Sequence, residues 1–304
     1  MTPRGDAKGV IEYAASWGER IESRLSELLR LEGSCPATLA EAMSYSVFSG
    51  GKRLRPVMVI AAAEAVGADP RSVPGLIDAA CAVEIIHTYS LVHDDLPCMD
   101  DDDLRRGKPT SHKVFGEAVA VLAGDALLTY AFEVLAGSGA PAGRVVAATR
   151  VMARCAGPAG MVGGQVIDIE LESGGERAAD EATQGDVVRR MHVLKTSNLF
   201  SGSVTVGGIL AGGNEEQVAA LQRYAIHFGL GFQIADDVKD AESGQDAGKV
   251  TYVSLYGTAA ARAEALGALS SAARELDILG GGAWALREIA HHVAAGIAEG
   301  VGQA

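Results

Sequence analysis

Aromatic side chains are scarce in this sequence, and so are the β-branched and aromatic runs from which strands are built. Aromatic residues make up 5% of the 304 positions, whereas hydrophobic residues reach 48% and charged residues 21%. A chain with this much apolar material does not remain disordered. Ala and Leu are abundant, and both favour helices over strands. The composition therefore predicts an all-α globular protein.

Cysteine motifs and long apolar runs are also missing. The four cysteines have no CxxC or other metal-ligand spacing, and no signal-peptide segment is found near the N-terminus. The longest uncharged run, residues 196–214, is rich in Ser, Thr, Asn and Gly, which makes it too polar to cross a membrane. We expect a reduced, cytoplasmic protein without a membrane span, in which Cys81 and Cys98 serve packing.

The charge balance excludes two classes of partner. The formal net charge is −13 at pH 7. Nucleic acids and anionic lipids both require a basic face, so neither is an expected partner. The basic residues that do cluster are therefore expected to bind something small.

Apolar residues recur with helical spacing along nearly the whole chain. No hairpin pattern, βαβ alternation or fixed repeat accompanies them, and no connecting segment is long enough to link two domains. We predict a single all-α domain over residues 1–304, with helices at 11–31, 37–49, 56–66, 73–94, 118–135, 144–156, 187–210, 215–240, 259–276 and 283–299.

Aspartates are concentrated in two places. The stretch HDDLPCMDDDDLRRGKPT, residues 93–110, contains one group, which by itself fits a solvated acidic loop equally well. Asp236, Asp237 and Asp240 form a second group after an apolar segment, and Asp236 and Asp240 lie one helical turn apart on the same face. Two such groups facing each other across a cavity would suit Mg²⁺, which takes oxygen ligands and completes its shell with phosphates. The pattern predicts a diphosphate or triphosphate ligand.

Basic residues are grouped beside two glycines in GGKRLRP, residues 50–56, and again after the first aspartate group. The cationic side chains in these two groups are Lys52, Arg53, Arg55, Arg105, Arg106 and Lys108. Each group alone is typical of an ordinary basic turn, but together with the aspartates they indicate a site that binds anions both through metal and directly. Standard nucleotide motifs are absent, because residues 244–251 match a P-loop only loosely. An EF-hand beginning at Asp100 is excluded, because its glycine position is occupied by Arg105.

The stretch VEIIHTYSLVHDDLPCMDDDDLRRGKPT and its continuation to Leu128 closely resemble the trans-isoprenyl diphosphate synthases, the family of farnesyl and geranylgeranyl diphosphate synthases. GGKRLRP, GMVGGQVIDI, KTSNLF and FQIADDVKD stand in family order along the rest of the chain. The resemblance implies a helical bundle of the isoprenoid synthase type around a central cavity, usually a homodimer. It also implies isopentenyl diphosphate and an allylic diphosphate as substrates, and three Mg²⁺ ions that bridge the aspartates to the allylic substrate.

Carried over position by position, the resemblance assigns the site residues. The implied Mg²⁺ ligands are Asp94, Asp100 and Asp236, supported by Asp95, Asp101, Asp237 and Asp240. The positions that match the isopentenyl diphosphate site are Lys52, Arg55, His87 and Arg106. Those that match the allylic diphosphate site are Arg105, Lys195, Thr196, Gln233 and Lys249. The residues expected to be catalytic are Asp94, Asp100, Arg105, Lys195, Asp236 and Lys249.

Three residues of the quoted motifs have two interpretations each. Without the resemblance, His87 is more simply a core histidine. Gln165 and Asp168 in GGQVIDI either line the site or hydrogen-bond a helix distortion at the neighbouring glycines.

Product length depends on residues shortly before Asp94, namely Tyr89 and Ser90. Tyr89 precedes Asp94 by five residues, or about 7.5 Å along a helix. In the family, an aromatic residue here acts as a floor and accompanies a C15 product, so we expect farnesyl diphosphate. The surrounding DLPCMD and RRGKPTSHKVFGE resemble plastid-type geranylgeranyl diphosphate synthases, which keeps a C20 product as the alternative.

Two departures from the family pattern and two rival functions are considered. Only seven residues separate Asp240 from Gly248, where the family usually has a longer loop with a further lysine, and Lys239 is uncommon in the second motif. A terpene cyclase would need a different second metal motif and no isopentenyl site. A noncatalytic partner subunit usually loses an aspartate motif, and both are intact.

Overall fold

The structure, a computed structural model, describes residues 7–31, 33–173, 181–244 and 250–298. It is all-α, which confirms the predicted fold class. The first helices are α1 (Ala7–Leu28), α2 (Ala37–Val47), α3 (Leu54–Ala65), α4 (Leu76–Asp94), α5 (Ser111–Phe115), α6 (Glu117–Ala136) and α7 (Ala142–Ala156). The later helices are α8 (Met161–Glu172), α9 (Glu181–His192), α10 (Asn198–Ala211), α11 (Glu215–Ser243), α12 (Tyr252–Tyr256), α13 (Thr258–Glu275) and α14 (Trp284–Ala298).

Three short elements complete the described chain. A π-helical turn, Val193–Ser197, joins α9 to α10, and a 3₁₀ segment, Asp277–Ala283, precedes α14. Two-residue strands, β1 (Leu104–Arg105) and β2 (Lys108–Pro109), pair antiparallel as a small hairpin.

Helices α4 and α10 form the centre of the bundle. Both are apolar nearly all round, so both bury most of their side chains. Helix α4 packs against α3, α6 and α10, while α10 packs against α3, α7 and α11. Helix α14 packs against α1, α3 and α13. The buried side chains of these helices form one hydrophobic core, whereas a single domain over the full chain stays a prediction.

The ends of the central helix follow from its sequence. Gly75 precedes α4 with φ of 73°, in the left-handed region that favours glycine, and it follows Pro74. The helix therefore begins at Leu76 and not at residue 73. It ends at Asp94, so the first aspartate group begins at the end of a buried helix.

Periodicity misjudges three local features. The predicted helix 187–210 is interrupted by the π-helical turn, which packs against α8. Helix α8 is not among the predicted helices, because Gly163 and Gly164 lower its helix propensity. The hairpin is missed as well, since two-residue strands give no alternation to read.

Helix α6 is the one described helix that is long and apolar enough, by composition, to cross a bilayer. It packs on α4, and 39% of its most apolar window is buried in the protein. Val121 and Leu122 of this helix remain exposed. Helix α6 therefore has one face in the core and an apolar surface elsewhere.

Candidate active site

A cavity of about 990 Å³ opens between α3, α4, α11 and α14, with the GGKRLRP loop and the hairpin on its walls. The charged residues and the histidine in its lining are Lys52, Arg53, Arg55, Glu84, His87, Arg105, Arg106, Asp236, Lys239, Glu242 and Arg262. Phe232, Val293 and Ile297 add an apolar wall. Cationic side chains outnumber acidic ones, so the cavity suits an anion with an apolar part.

The GGKRLRP loop approaches the cavity through backbone that only glycine adopts readily. Gly50 and Gly51 have φ of 111° and 125°. A Cβ on Gly51 would collide with the guanidinium of Arg106, which donates a hydrogen bond to the Gly50 carbonyl. Burial, and then the charge of Lys239, lowers the pKa of Lys52, the next residue of the loop. Lys52 therefore lies opposite α11 across the cavity.

Arg55 lies beside an aromatic ring and a neutral histidine. Its Nη1 is 3.2 Å from His87 Nε2, and its guanidinium carbon is 4.3 Å from the centre of the Phe200 ring. A guanidinium only donates hydrogen bonds, so Nε2 of His87 is the acceptor. Burial, followed by the charge of Arg55, holds the pKa of His87 well below its usual range. The pair thus presents a single positive charge to the cavity.

The carboxylates of the first aspartate group have two different sets of neighbours. Asp95 is buried, and its Oδ1 accepts a 2.5 Å hydrogen bond from Arg105 Nε. Burial raises the pKa of Asp94 to about 6, with Lys195 opposing the rise and Asp100 adding to it. The Asp100 N–H donates to the Asp94 carbonyl at 2.9 Å. Asp94 and Asp100 therefore lie close to each other and to Lys195, whereas Asp95 is bound to Arg105.

The hairpin carries two arginines to the cavity. Arg106 and Gly107 have φ of 54° and 77°, as in the two-residue turn that fits the twist of a hairpin. Arg105 pairs with Lys108 across this turn. The sequence RRGK thus forms a turn whose two arginines both line the cavity.

Lys195, in the π-helical turn, lies among carboxylates. Its Nζ donates to Asp168 Oδ2 at 2.5 Å. Burial alone would lower the pKa of Lys195, but the Asp168 and Asp94 carboxylates raise it. The turn approaches α8 this closely because a Cβ on Gly164 would collide with the backbone of Leu194 and Lys195. A glycine in α8 therefore allows the lysine to lie beside Asp168 and near the first aspartate group.

Thr196 and Gln233 connect the π-helical turn to α11. Thr196 Oγ1 donates to Gln233 Oε1 at 2.7 Å, and Gln233 Nε2 donates to Asp237 Oδ1 at 3.3 Å. Asp237 Oδ2 accepts a 3.3 Å bond from the Tyr252 N–H and lies 3.4 Å from His192 Nε2. Burial raises the pKa of Asp237 to about 6. Both Asp237 oxygens are thus engaged by the protein itself.

The other two aspartates of the second group, unlike Asp237, are not buried. Asp236 is exposed on the cavity wall, and Asp240 is half-buried one turn later. Both lie in α11, so the predicted one-turn spacing on one helix face is present. Asp236 is close enough to Lys52 to oppose the lowering of its pKa. Asp236 is therefore the member of the group that meets the cationic loop.

The donor set fits Mg²⁺ shared with a phosphate ligand. Within the described ranges, no three His, Cys, Asp or Glu side chains converge closely enough to hold a metal ion alone. The negative charge of Asp94 is only partly balanced by nearby cations, since burial and Asp100 keep its pKa raised. Mg²⁺ usually binds one or two carboxylates and completes its shell with water and phosphate oxygens. The residues present are consistent with an ion that is held partly by the substrate.

Tyr89 and Ser90 do not line the cavity. Tyr89 is buried, and its ring packs edge-on against His93 with centres 5.8 Å apart. His93 Nε2 lies 3.1 Å from the Val121 carbonyl, so this face of α4 is turned toward α6. Ser90 Oγ donates to the His87 carbonyl within the helix. Tyr89 therefore lies at the α4–α6 side, below Asp94 along the helix.

Sequence reasoning grouped Arg53 with the free cations and did not consider Glu84 or His192. Arg53 is instead bound to carboxylates, and its signal in the sequence was only its place in a basic run. Asp168 had been noted with two interpretations, and its bond to Lys195 places it beside the site. Lys249 lies outside the described residues.

A helical bundle with a cationic cavity and two aspartate groups has the donor set expected of an enzyme class that acts on diphosphates together with metal ions. The polyprenyl synthetase family model matches residues 36–259, and the chain belongs to this family of trans-isoprenyl diphosphate synthases.

Similar proteins include synthases of two product lengths. A chloroplastic geranylgeranyl pyrophosphate synthase 7 of Arabidopsis thaliana is 51% identical over 73% of this chain, which spans 65% of the length of that relative. The farnesyl diphosphate synthase of Geobacillus stearothermophilus is 42% identical over 85% of this chain and 88% of its own. The crystal structure of an FPP/GFPP synthase from Zymomonas mobilis has a TM-score of 0.84 and 37% identity, covering 95% of this chain and 100% of that chain.

Proposed function

We propose that the protein is a short-chain trans-prenyltransferase that condenses isopentenyl diphosphate with dimethylallyl and geranyl diphosphate to give farnesyl diphosphate. The observation that carries the proposal is the cavity, in which Lys52, Arg55 and Arg106 meet Asp236 of α11. Family membership supports the reaction class, and the two aspartate groups with Lys195 nearby support two diphosphate sites.

Isopentenyl diphosphate would bind at the cationic wall made by Lys52, Arg55, His87 and Arg106. Each of these side chains lines the cavity. Arg55 is held against Phe200, so its charge is oriented before a ligand arrives. The neutral His87 accepts from Arg55 through Nε2, which leaves its other ring nitrogen as a donor. This wall would therefore fix the diphosphate and leave the C5 chain to the apolar side.

The allylic diphosphate would bind between the two aspartate groups. The residues proposed to hold it are Arg105, Lys195, Thr196, Gln233 and Lys249. The Mg²⁺ ions, which we expect to number three, would neutralise the charge that develops on the departing pyrophosphate. Asp94, Asp100 and Asp236 would hold them, with Asp95, Asp237 and Asp240 in support. The positively charged Lys195 adds a donor at the same place, and its bond to Asp168 keeps it oriented.

The chain's own residues would orient the substrates and exclude water. The allylic C–O bond breaks, the double bond of isopentenyl diphosphate attacks the cation, and a proton is lost to regenerate a double bond. The departing pyrophosphate would accept that proton, so no side-chain base is assigned. Apolar residues such as Phe232 and Val293 line the cavity and would keep water from the cation.

We propose a C15 product on the basis of Tyr89. Its ring is buried on α4 five residues before Asp94 and outside the cavity lining, so a product chain that grew from the aspartates toward α6 would meet it. A C20 product is the second candidate, since relatives of both product lengths are similar to this chain. A homodimer is also proposed, with the exposed Val121 and Leu122 of α6 as part of the interface. A cytoplasmic location stays a prediction.

The test is incubation of purified protein with Mg²⁺, labelled isopentenyl diphosphate and one of dimethylallyl, geranyl or farnesyl diphosphate, followed by chromatography of the dephosphorylated products. We expect a terminal C15 alcohol from the first two starters and no elongation of the third. Asp236→Asn is the inactive control. A terminal C20 alcohol would retain the reaction and overturn the role of Tyr89, whereas no elongation from any starter would overturn the prenyltransferase assignment.

A further inference from the structure

Arg53 is the middle cation of the GGKRLRP loop and borders the cavity, yet its guanidinium is occupied by acceptors of the protein itself. Its Nε donates to Glu22 Oε1 at 2.7 Å, and its Nη1 donates to Glu84 Oε1 at 2.7 Å. Its Nη2 donates to the Val47 carbonyl at 2.7 Å. The guanidinium thus joins α1, the end of α2 and α4 at one point. Arg53 is 5% exposed, so its bonds to Glu84 and to the Val47 carbonyl are buried, whereas Glu22 is partly exposed to water.

The backbone of Arg53 shows why so many bonds are present. Its φ is 51°, in the left-handed region that residues other than glycine seldom occupy. Such a conformation persists only where the surrounding contacts over-determine it. Here the side-chain bonds act on the same residue whose backbone begins α3. Arg53 therefore fixes the direction in which the loop enters the helix.

Lys52 directly precedes Arg53, Arg55 follows it two residues later, and both line the cavity. A change in the backbone of Arg53 would therefore redirect both side chains. The loop is supported from the other side by Arg106, whose guanidinium bonds the Gly50 carbonyl and lies over Gly51. The loop that carries the cationic wall is thus fixed on two sides.

Glu84 is the carboxylate that balances this loop. It is 2% exposed, it lines the cavity, and its Oε2 has no hydrogen-bond partner among the described residues. Its charge favours the charged forms of Arg55 and Arg106, whose pKa values burial lowers. Without Glu84, the neighbouring cations Arg53, Arg55 and Arg106 would repel each other before any diphosphate arrives.

We propose that Arg53 and Glu84 are positioning residues that hold the Gly50–Arg55 loop in the form that binds isopentenyl diphosphate. This inference rests on the proposed function and assigns Arg53 and Glu84 a role through the loop, with no direct bond to the substrate. It separates the two substrates, because the loop forms the isopentenyl wall, whereas Lys195 and Asp94 lie elsewhere. If Arg53 and Glu84 only stabilised the fold, their replacement would weaken the binding of both substrates together or of neither.

The test compares steady-state constants of Arg53→Lys, Arg53→Met and Glu84→Gln with the wild type, for each substrate in turn. We expect KM for isopentenyl diphosphate to rise about tenfold or more, equivalent to about 1.4 kcal/mol, in the two Arg53 variants. KM for geranyl diphosphate should change less than about twofold in the same variants, equivalent to about 0.4 kcal/mol, because the loop is not part of the proposed allylic site. The double variant Arg53→Met with Glu84→Gln should not be additive, since each change removes the same pair.

Arg24→Met is the matched control. Arg24 forms an ion pair with Asp78 at 2.7 Å, which also joins α1 to α4 but does not reach the cavity. It should leave both KM values unchanged. Circular dichroism and thermal unfolding identify variants that do not fold, and Arg53→Lys, which keeps the charge, decides the question if Arg53→Met is unfolded.

Equal changes in both KM values, or an unchanged KM for isopentenyl diphosphate in a folded Arg53 variant, would overturn the proposal. Isothermal titration of isopentenyl diphosphate separates this outcome from failure of the proposed function. A wild type that neither elongates nor binds isopentenyl diphosphate refutes the proposed function, whereas an active wild type with Arg53 variants that behave like Arg24→Met refutes only this inference.

Discussion

Asp94→Asn should stabilise the metal-free protein while it removes activity. The carboxylate of Asp94 is partly buried at the end of α4, near Asp100 and Asp95, and this burial raises its pKa to about 6. Folding therefore favours its protonated form, and ionisation in the folded state is costly. An asparagine has the same shape without the charge, so the cost disappears in the variant.

The magnitude follows from the two pKa values. A rise from the ordinary value of 3.8 to about 6 corresponds to a loss of about 3 kcal/mol of stability at neutral pH. Because the folded pKa is the higher one, the loss is absent below pH 3.8, grows as the pH rises to about 6, and is constant above it. We expect Asp94→Asn to gain about 1–3 kcal/mol at pH 7.5 and about half of that at pH 5.

The assay is urea unfolding in EDTA at both pH values, repeated with Mg²⁺ and pyrophosphate at pH 7.5. Ligand binding should stabilise the wild type and leave the variant nearly unchanged, because Asp94 is proposed to hold the metal. Asp103→Asn is the control, since Asp103 is exposed and its pKa is lowered by its ion pair with Lys113. It should give no gain. An Asp94→Asn protein that is less stable than the wild type in EDTA, or a gain that is equal at both pH values, would refute the reasoning.

Three further changes test other parts of the site. Tyr89→Met should lengthen the product to C20 in the elongation assay, and an unchanged C15 product would show that Tyr89 is not the floor. Gly164→Ala should cost about 1–3 kcal/mol in thermal unfolding and raise KM for the allylic substrate, because a Cβ would push the Lys195 backbone away; Gly267→Ala, with nothing near its Cβ, should not. Gln165→Leu should raise stability by about 1–3 kcal/mol in thermal unfolding, since neither buried amide atom has a partner in the described chain; a loss of stability would contradict this.

Much of the fold could be predicted because helix formation depends on nearby residues. Spacing of apolar residues located most helices, and Asp236 and Asp240 lie on one helix face as their spacing indicates. The ends of the helices and the irregular turns were harder to predict from the sequence. The close packing of the π-helical turn at Lys195 depends on Gly164 in another helix, and no local sequence pattern predicts that contact.

The candidate site divides in the same way. Aspartate groups and basic clusters can be recognised in the sequence. Charged residues next to a buried apolar helix are costly to remove from water, so such groups indicate a binding site. Their individual directions are not visible: adjacent residues Asp94 and Asp95 turn toward Lys195 and Arg105, respectively. Arg53 belongs to the same basic run as Lys52 and Arg55, yet its guanidinium is bound to Glu22 and Glu84 in two other helices.

By itself, the sequence determined that the chain is all-α, that two aspartate groups follow apolar helices, and that glycine-flanked cations accompany them. These properties follow from helix propensity, side-chain period and charge, which act over a few residues. Tertiary structure alone decided that Arg53 supports the loop, that Lys195 is held by Asp168, and that Tyr89 faces α6. Each of these depends on how helices distant in sequence cross, because crossing geometry is set by packing over the whole core and not by any local pattern.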